Sequence, residues 1–138
     1  MSQLVARRTG AATALLGLAA ATALVGAGPA HAASWNCGGE SNGVYTMAYC
    51  QKGGSKVKVS YVEEGDRVTV WDEFDNGRWT IAYVKVAGEG TARFTSQGHE
   101  INRYGNQGYD EGKSVKVKVC TSKLPGAVCS GWSPAGKT

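Results

Sequence analysis

Apolar and polar residues alternate along most of the chain beyond residue 32. The clearest case is 56–62, where Val57, Val59 and Tyr61 fall on one side and Lys56, Lys58 and Ser60 on the other. A period of two belongs to a strand with one buried face. Residues 43–50 form a first candidate strand, entered from the Gly38-Gly39 and Asn42-Gly43 turns and closed by Gly53-Gly54. Residues 67–74 form a third, with Val68 and Val70 opposite Thr69 and Trp71. Asp75-Asn76-Gly77 follows, a strong hairpin signal because Asn-Gly tolerates the positive φ of tight turns. Residues 78–86 return as a fourth strand, Thr80, Ala82, Val84 and Val86 on one face, Trp79, Ile81 and Tyr83 on the other.

A short fifth strand covers 91–95. A sixth covers 113–120, with Val115, Val117 and Val119 inward and Lys116 and Lys118 outward, and a seventh covers 127–132. Residues 97–112 are polar and Gly-rich and read as a long loop with room for one short strand. Residues 133–138 read as a frayed tail. About seven short strands joined by frequent turns predict an all-β fold, a single-domain antiparallel β-sandwich or a partly open barrel. Helical periodicity is not sustained anywhere in this part of the chain.

The first 32 residues follow another pattern. Arg7 and Arg8 precede an apolar run rich in Ala, Leu, Val and Gly, and Ala30-His31-Ala32 supplies a small-x-small cleavage site. Residues 1–32 therefore read as a secretory signal peptide and 33–138 as the mature domain. The run is short for a membrane span and no other stretch is apolar enough, so a soluble, extracellular product without membrane attachment is expected after cleavage. Thr9-Gly10-Ala11 lacks the bulky apolar residue preferred in twin-arginine export, which favours ordinary secretion.

Export changes how the four cysteines are read. All four lie in the mature part, and an even number in a secreted chain predicts disulfides. Of three pairings, Cys37–Cys50 and Cys120–Cys129 are favoured, since each joins cysteines close in sequence across a turn. A zinc site is disfavoured by spacing and compartment. Charge adds little. The 15 Lys and Arg fall to 13 without Arg7 and Arg8, against 11 Asp and Glu, and no basic block occurs. Nucleic acid is therefore not an expected partner. Lys52, Lys56 and Lys58 read as a solvated strand face.

Catalytic chemistry finds little footing. His99, the only histidine of the mature part, sits in the polar loop without a nucleophile motif. The carboxylates Glu63, Glu64, Asp66, Asp72, Glu73, Asp75, Asp110 and Glu111 cluster at turns, where such groups commonly cap backbone amides. The 72–77 segment lacks the ligand spacing of a calcium loop. No catalytic residue, metal ligand or cofactor is assigned.

Two features invite a ligand. Four Trp and six Tyr are many for a domain of this size, and Trp71, Trp79 and Tyr83 could form one exposed platform with Arg78 beside it. Flat rings stack on sugars or anchor a protein partner. The same rings could instead fill the core, and the alternation leaves both readings open. The second feature is the ten-residue span from Cys120 to Cys129, with Lys123, Leu124 and Pro125 at its tip. A stiff, closed loop lowers the ordering cost of binding, as an inhibitor of a secreted hydrolase requires. Lys123 would suit a trypsin-like pocket and Leu124 a chymotrypsin- or subtilisin-like one. An ordinary stapled hairpin is the alternative.

The leader, the two short-range disulfides, Val68-Thr69-Val70-Trp71-Asp72, Asn76-Gly77-Arg78-Trp79-Thr80-Ile81-Ala82 and the ending Val117-Lys118-Val119-Cys120 with Cys129-Ser130-Gly131-Trp132 resemble small secreted proteins of Streptomyces and related actinobacteria. That resemblance implies export and a β fold and assigns no activity. Secreted domains of this kind include tendamistat-like amylase inhibitors, two-disulfide β-sandwiches with a Trp-Arg-Tyr triplet on a turn. The nearest segment here is Arg78-Trp79-Thr80, in changed order and without the Tyr. The expectation is thus a non-enzymatic binding module for an extracellular protein or polysaccharide. The alternatives are an inhibitor of a protease or α-amylase and an accessory subunit of a secreted antibacterial assembly. Oligomeric state stays open.

Overall fold

The structure, a computed structural model, describes residues 33–138, so the leader read over 1–32 lies outside the described residues. Nine strands run in the order β1 (Asn36–Ser41), β2 (Tyr45–Lys52), β3 (Ser55–Val62), β4 (Arg67–Asp72), β5 (Trp79–Val86), β6 (Gly90–Gln97), β7 (Ile101–Tyr104), β8 (Ser114–Cys120) and β9 (Gly136–Lys137). They form a five-stranded sheet, β1-β2-β3-β4-β7, and a four-stranded sheet, β6-β5-β8-β9, with every pairing antiparallel. The all-β, two-disulfide sandwich read from the sequence is the fold observed, and it is not a closed barrel.

The two-residue period is the reason the sheets face one another. Val57, Val59, Tyr61, Val68 and Val70 of one sheet, with Ala82, Val84, Val86, Val115, Val117 and Val119 of the other, form one buried cluster. Burying each valine side chain contributes at most about 1.5–3 kcal/mol. Phe94 packs edge-on against Tyr104 at 4.9 Å between centroids. The Tyr104 hydroxyl donates to the Thr95 carbonyl at 2.6 Å, tying β7 to β6 across the sheets. Cys37 and Cys50 are direct cross-strand partners with a Cα separation of 4.1 Å, and Cys120 and Cys129 meet in an isolated bridge at 4.0 Å. Both expected disulfide pairings are present.

Four local expectations are corrected. First, Asp75-Asn76-Gly77 does not close a hairpin. β4 pairs with β3 and β7, whereas β5 pairs with β6 and β8, so residues 75–77 carry the chain from one sheet to the other. The Asn76 side-chain oxygen accepts the Arg78 amide at 2.8 Å, turn chemistry that serves a crossover as well as a hairpin. Second, Gly38-Gly39 is not a turn but the middle of β1. The Tyr49 ring lies across Gly38, and a Cβ there would meet its hydroxyl oxygen at 2.9 Å.

Third, 127–132 is not a strand. Beyond Cys129 two serines replace the ladder along β8. Ser130 donates its amide to the Val119 carbonyl and accepts the Val119 amide on its hydroxyl, and Ser133 does the same with Val117. Fourth, the tail is not frayed: Gly136 and Lys137 pair with Val115 and Ser114, and Thr138 is buried. The Thr138 hydroxyl accepts the Lys113 amide and donates to the Asp110 carbonyl. Gly136 sits so close to the Thr46 hydroxyl that no Cβ fits between them.

Candidate functional site

Inward valines fix which side chains point out. On β5, Thr80, Ala82, Val84 and Val86 are buried in the core, which turns Trp79, Tyr83 and Lys85 to the outer face of the four-stranded sheet. Trp79 is 44 % exposed and Tyr83 is half-buried. Ile81 shares their side but is buried between its cross-strand partners Thr95 and Cys120.

Trp71 is placed elsewhere. It lies on β4, on the outer face of the five-stranded sheet, so the platform expected from Trp71, Trp79 and Tyr83 divides between the two sheets. The crossover at 75–77 is the cause, since it separates β4 from β5. Trp71 is moreover capped by its cross-strand partner Lys58, whose ammonium lies 3.8 Å from the ring centroid. Burial, and then the neighbouring Lys56, hold the Lys58 ammonium below its ordinary pKa. A ring covered in this way is closed to stacking on that side. Arg78 is exposed just before β5.

The outer face of the four-stranded sheet gathers residues that the sequence did not bring together. Strand register sets Arg93, Tyr83 and Lys118 side by side across β6, β5 and β8, and Thr91, Lys85 and Lys116 in the next row. Trp132, 42 % exposed, stands beside β8 on the serine-held segment. The Lys118 ammonium lies 5.6 Å from the centroids of both Tyr83 and Trp132. Two shallow depressions open on this face. One, of about 310 Å³, is lined by Trp79, Ile81, Arg93, Thr95 and Lys123. The other, of about 200 Å³, is lined by Lys85, Ala87, Ser114, Lys116 and Trp132.

Lys123 reaches the first depression from the disulfide-closed loop. That loop is internally bonded: Thr121 and Val128 exchange hydrogen bonds, and the Ser122 hydroxyl accepts the Leu124 amide at 3.2 Å. Leu124 then accepts the Ala127 amide at 3.1 Å around Pro125 and Gly126, the latter at φ 82°. Pro followed by a positive-φ Gly is the composition of a type II turn. Leu124 and Pro125 are exposed at its tip. Thus Trp79 and Lys123, read separately as parts of two different sites, line one concavity.

Four carboxylates, Asp66, Asp72, Glu73 and Glu89, accept backbone amides. Asp66 accepts the Tyr61 hydroxyl and the Tyr109 amide, and Glu73 accepts the Lys56 amide while pairing with its ammonium at 3.8 Å. Burial, then the Asp66 hydrogen bond, raises the Tyr61 phenol far above its usual range. Asp72 is buried and accepts the Phe74 amide at 3.0 Å; burial raises its pKa, opposed by that bond and by Thr80. His99 is exposed with φ 58°, in the turn between β6 and β7. Among the described residues, no group of three or more His, Cys, Asp or Glu side chains is placed to hold a metal ion.

The chain matches no protein-family model, no curated protein and no solved structure.

Trp132, Arg93, Lys85 and Lys116 were not singled out as contacts by sequence reasoning. Alternation already turned Lys116 and Lys118 outward. No sequence signal announced that β8 would lie beside β5, or that Trp132 would join them.

Proposed function

We propose that the mature domain is a secreted, non-enzymatic binding module that holds an extracellular polysaccharide on the outer face of its four-stranded sheet. The observation that carries this reading is the sharing of one sheet face by Trp79, Tyr83 and Trp132, two of them more than 40 % exposed. Sugar rings offer flat C–H faces that stack on such side chains. Protein interfaces tend to exclude Lys from their centres, whereas here Lys118 stands between two rings. That arrangement favours a polysaccharide over a protein partner. Export is supported by the leader pattern and by two disulfides, which persist in oxidising compartments. No helix among the described residues is long and apolar enough to cross a membrane.

The test is retention of the mature domain on insoluble chitin, cellulose and bacterial cell-wall glycan. Retention should be lost in Trp79→Ala and Trp132→Ala and kept in Trp71→Ala. Passage through every matrix together with no binding to any soluble glycan, or equal loss in Trp71→Ala, overturns the reading.

Inhibition of a secreted hydrolase is the second reading, favoured by the exposed Lys123 and Leu124 on a bonded, disulfide-closed loop. It draws less support, because the tip closes into a turn instead of offering extended backbone that could pair with an enzyme cleft. Stoichiometric inhibition of trypsin, subtilisin or α-amylase, abolished by Lys123→Ala, would put it first.

A further inference from the structure

The two depressions on the four-stranded sheet have the same make-up. Each sets one tryptophan beside two cations: Trp79 with Arg93 and Lys123, and Trp132 with Lys85 and Lys116. Lys118 joins them, between Tyr83 and Trp132.

The charge on this face has no internal answer. β5, β6, β8 and β9 contain Lys85, Arg93, Lys116, Lys118 and Lys137, and not one Asp or Glu. Among the described residues none of these cations is in an ion pair. On the five-stranded side Lys56 and Arg67 do find partners, in Glu73 and Glu64. Lys85 and Lys116 are directly opposed across β5 and β8. Like charges in that position destabilise a sheet. A fold with 11 carboxylates to distribute leaves this pair uncompensated.

We infer that the ligand of this face is an acidic polysaccharide, a glycan bearing uronic carboxylates, which stacks sugar rings on Trp79 and Trp132 and sets a carboxylate between the two cations beside each. This rests on the polysaccharide reading above and names its chemical class. Arg93 offers the planar fork that pairs with a carboxylate, and the lysines serve as point charges. Complementary charge then answers both the missing acids and the Lys85–Lys116 opposition. A nucleic acid fits less well. Its denser phosphate charge calls for a basic run or a strongly basic domain, and the mature part carries 13 cations against 11 carboxylates.

The experiment measures binding of the mature domain to polygalacturonate, its fully methyl-esterified form, dextran sulfate and oligo-dT by calorimetry at two salt concentrations. Polygalacturonate should bind best, less tightly at high salt, and esterification should weaken it at least tenfold. Arg93→Gln/Lys123→Gln and Lys85→Gln/Lys116→Gln should each weaken it roughly tenfold, as expected for partly exposed charged hydrogen bonds. The second pair should keep or raise the thermal midpoint, which separates lost contacts from lost folding. Equal binding of the esterified polymer, with loss in Trp79→Ala, would overturn the acidic class and leave the polysaccharide reading standing. Tighter binding of dextran sulfate or oligo-dT would also overturn the assignment. If none of these polymers binds and the insoluble matrices above retain nothing, both readings fall.

Discussion

The ammonium of Lys58 stands 3.8 Å from the centroid of the Trp71 ring, on the sheet face opposite to that of Trp79. A cation held over an indole contributes about 0.5–1 kcal/mol at such a partly exposed site. Trp71→Ala should therefore lower stability by about 1 kcal/mol or slightly more, through lost packing as well as lost attraction. It should leave glycan affinity unchanged. Urea denaturation and calorimetry on one preparation check both halves, and a fall in affinity would show that the Trp71 face takes part in binding.

Gly136 abuts the Thr46 side chain with no room for a methyl group. Gly136→Ala must move either a buried, β-branched side chain or the β8–β9 pairing. The expected loss is about 1–3 kcal/mol, typical of overpacking in a close-packed interior. Thr46→Ala in the same chain should recover part of that loss. A double-mutant cycle by urea denaturation gives the coupling, and strict additivity would mean that the two residues do not press on each other.

Asp72 makes stability depend on pH. Its carboxyl is raised by burial in the folded state and takes its ordinary value in the unfolded chain. Below the unfolded value both states are protonated, and Asp72 adds no dependence. As pH rises, the unfolded chain ionises first, so this group's contribution falls until the raised folded value is passed, and is level above it. Asp72→Asn keeps an acceptor for the Phe74 amide and abolishes the titration. The stability of Asp72→Asn relative to the natural chain should therefore increase between about pH 4 and neutrality. Paired urea melts across that range check the sign.

The Cys120–Cys129 bridge closes a separation of 9 residues and Cys37–Cys50 one of 13. By chain entropy each should contribute about 2.5–3 kcal/mol. Cys120→Ala/Cys129→Ala should lose about that much stability and also weaken polysaccharide binding, because the loop holding Lys123 at the depression is released. Cys37→Ala/Cys50→Ala should lose a similar amount of stability while binding stays normal under conditions that keep it folded. Equal loss of affinity in the two variants would contradict the placement of the site.

Tyr61 and Asp66 form a buried pair that also takes the Tyr109 amide. Tyr61→Phe leaves one carboxylate oxygen without its donor and should cost about 1–3 kcal/mol. In the natural chain, ultraviolet titration should find Tyr61 and Tyr109 ionising above the ordinary phenol range, since burial raises both. Ionisation of Tyr61 within the ordinary phenol range before unfolding would argue against the pair.

Alternation made the inner faces legible. Val57, Val59 and Tyr61 read as one face and are buried together, and the split of β5 into Thr80-side and Trp79-side residues is the one observed. Cysteine count and spacing sufficed for both disulfides. Sheet membership was not legible, because Asn76-Gly77 supplies the same local turn chemistry whether the next strand folds back or crosses over. Gly38-Gly39 concealed β1, since the need for glycine there is space beneath Tyr49 and not a change of direction. The serine-held segment and the tail carry no apolar rhythm, because their order comes from hydroxyl and amide bonds to β8 and its approach. With them went Trp132, and so half of the candidate face.

The crossover at 75–77 also determines how the chain can be divided. The residues before it own four strands of one sheet, and the residues after it own all of the other sheet together with β7. A polypeptide opened between Asn76 and Gly77 would yield two fragments, each with a bare valine surface that only the other can cover. β7, carried by the second fragment and seated on the edge of the first, would be the clasp of their reunion, which makes this domain a natural substrate for fragment complementation.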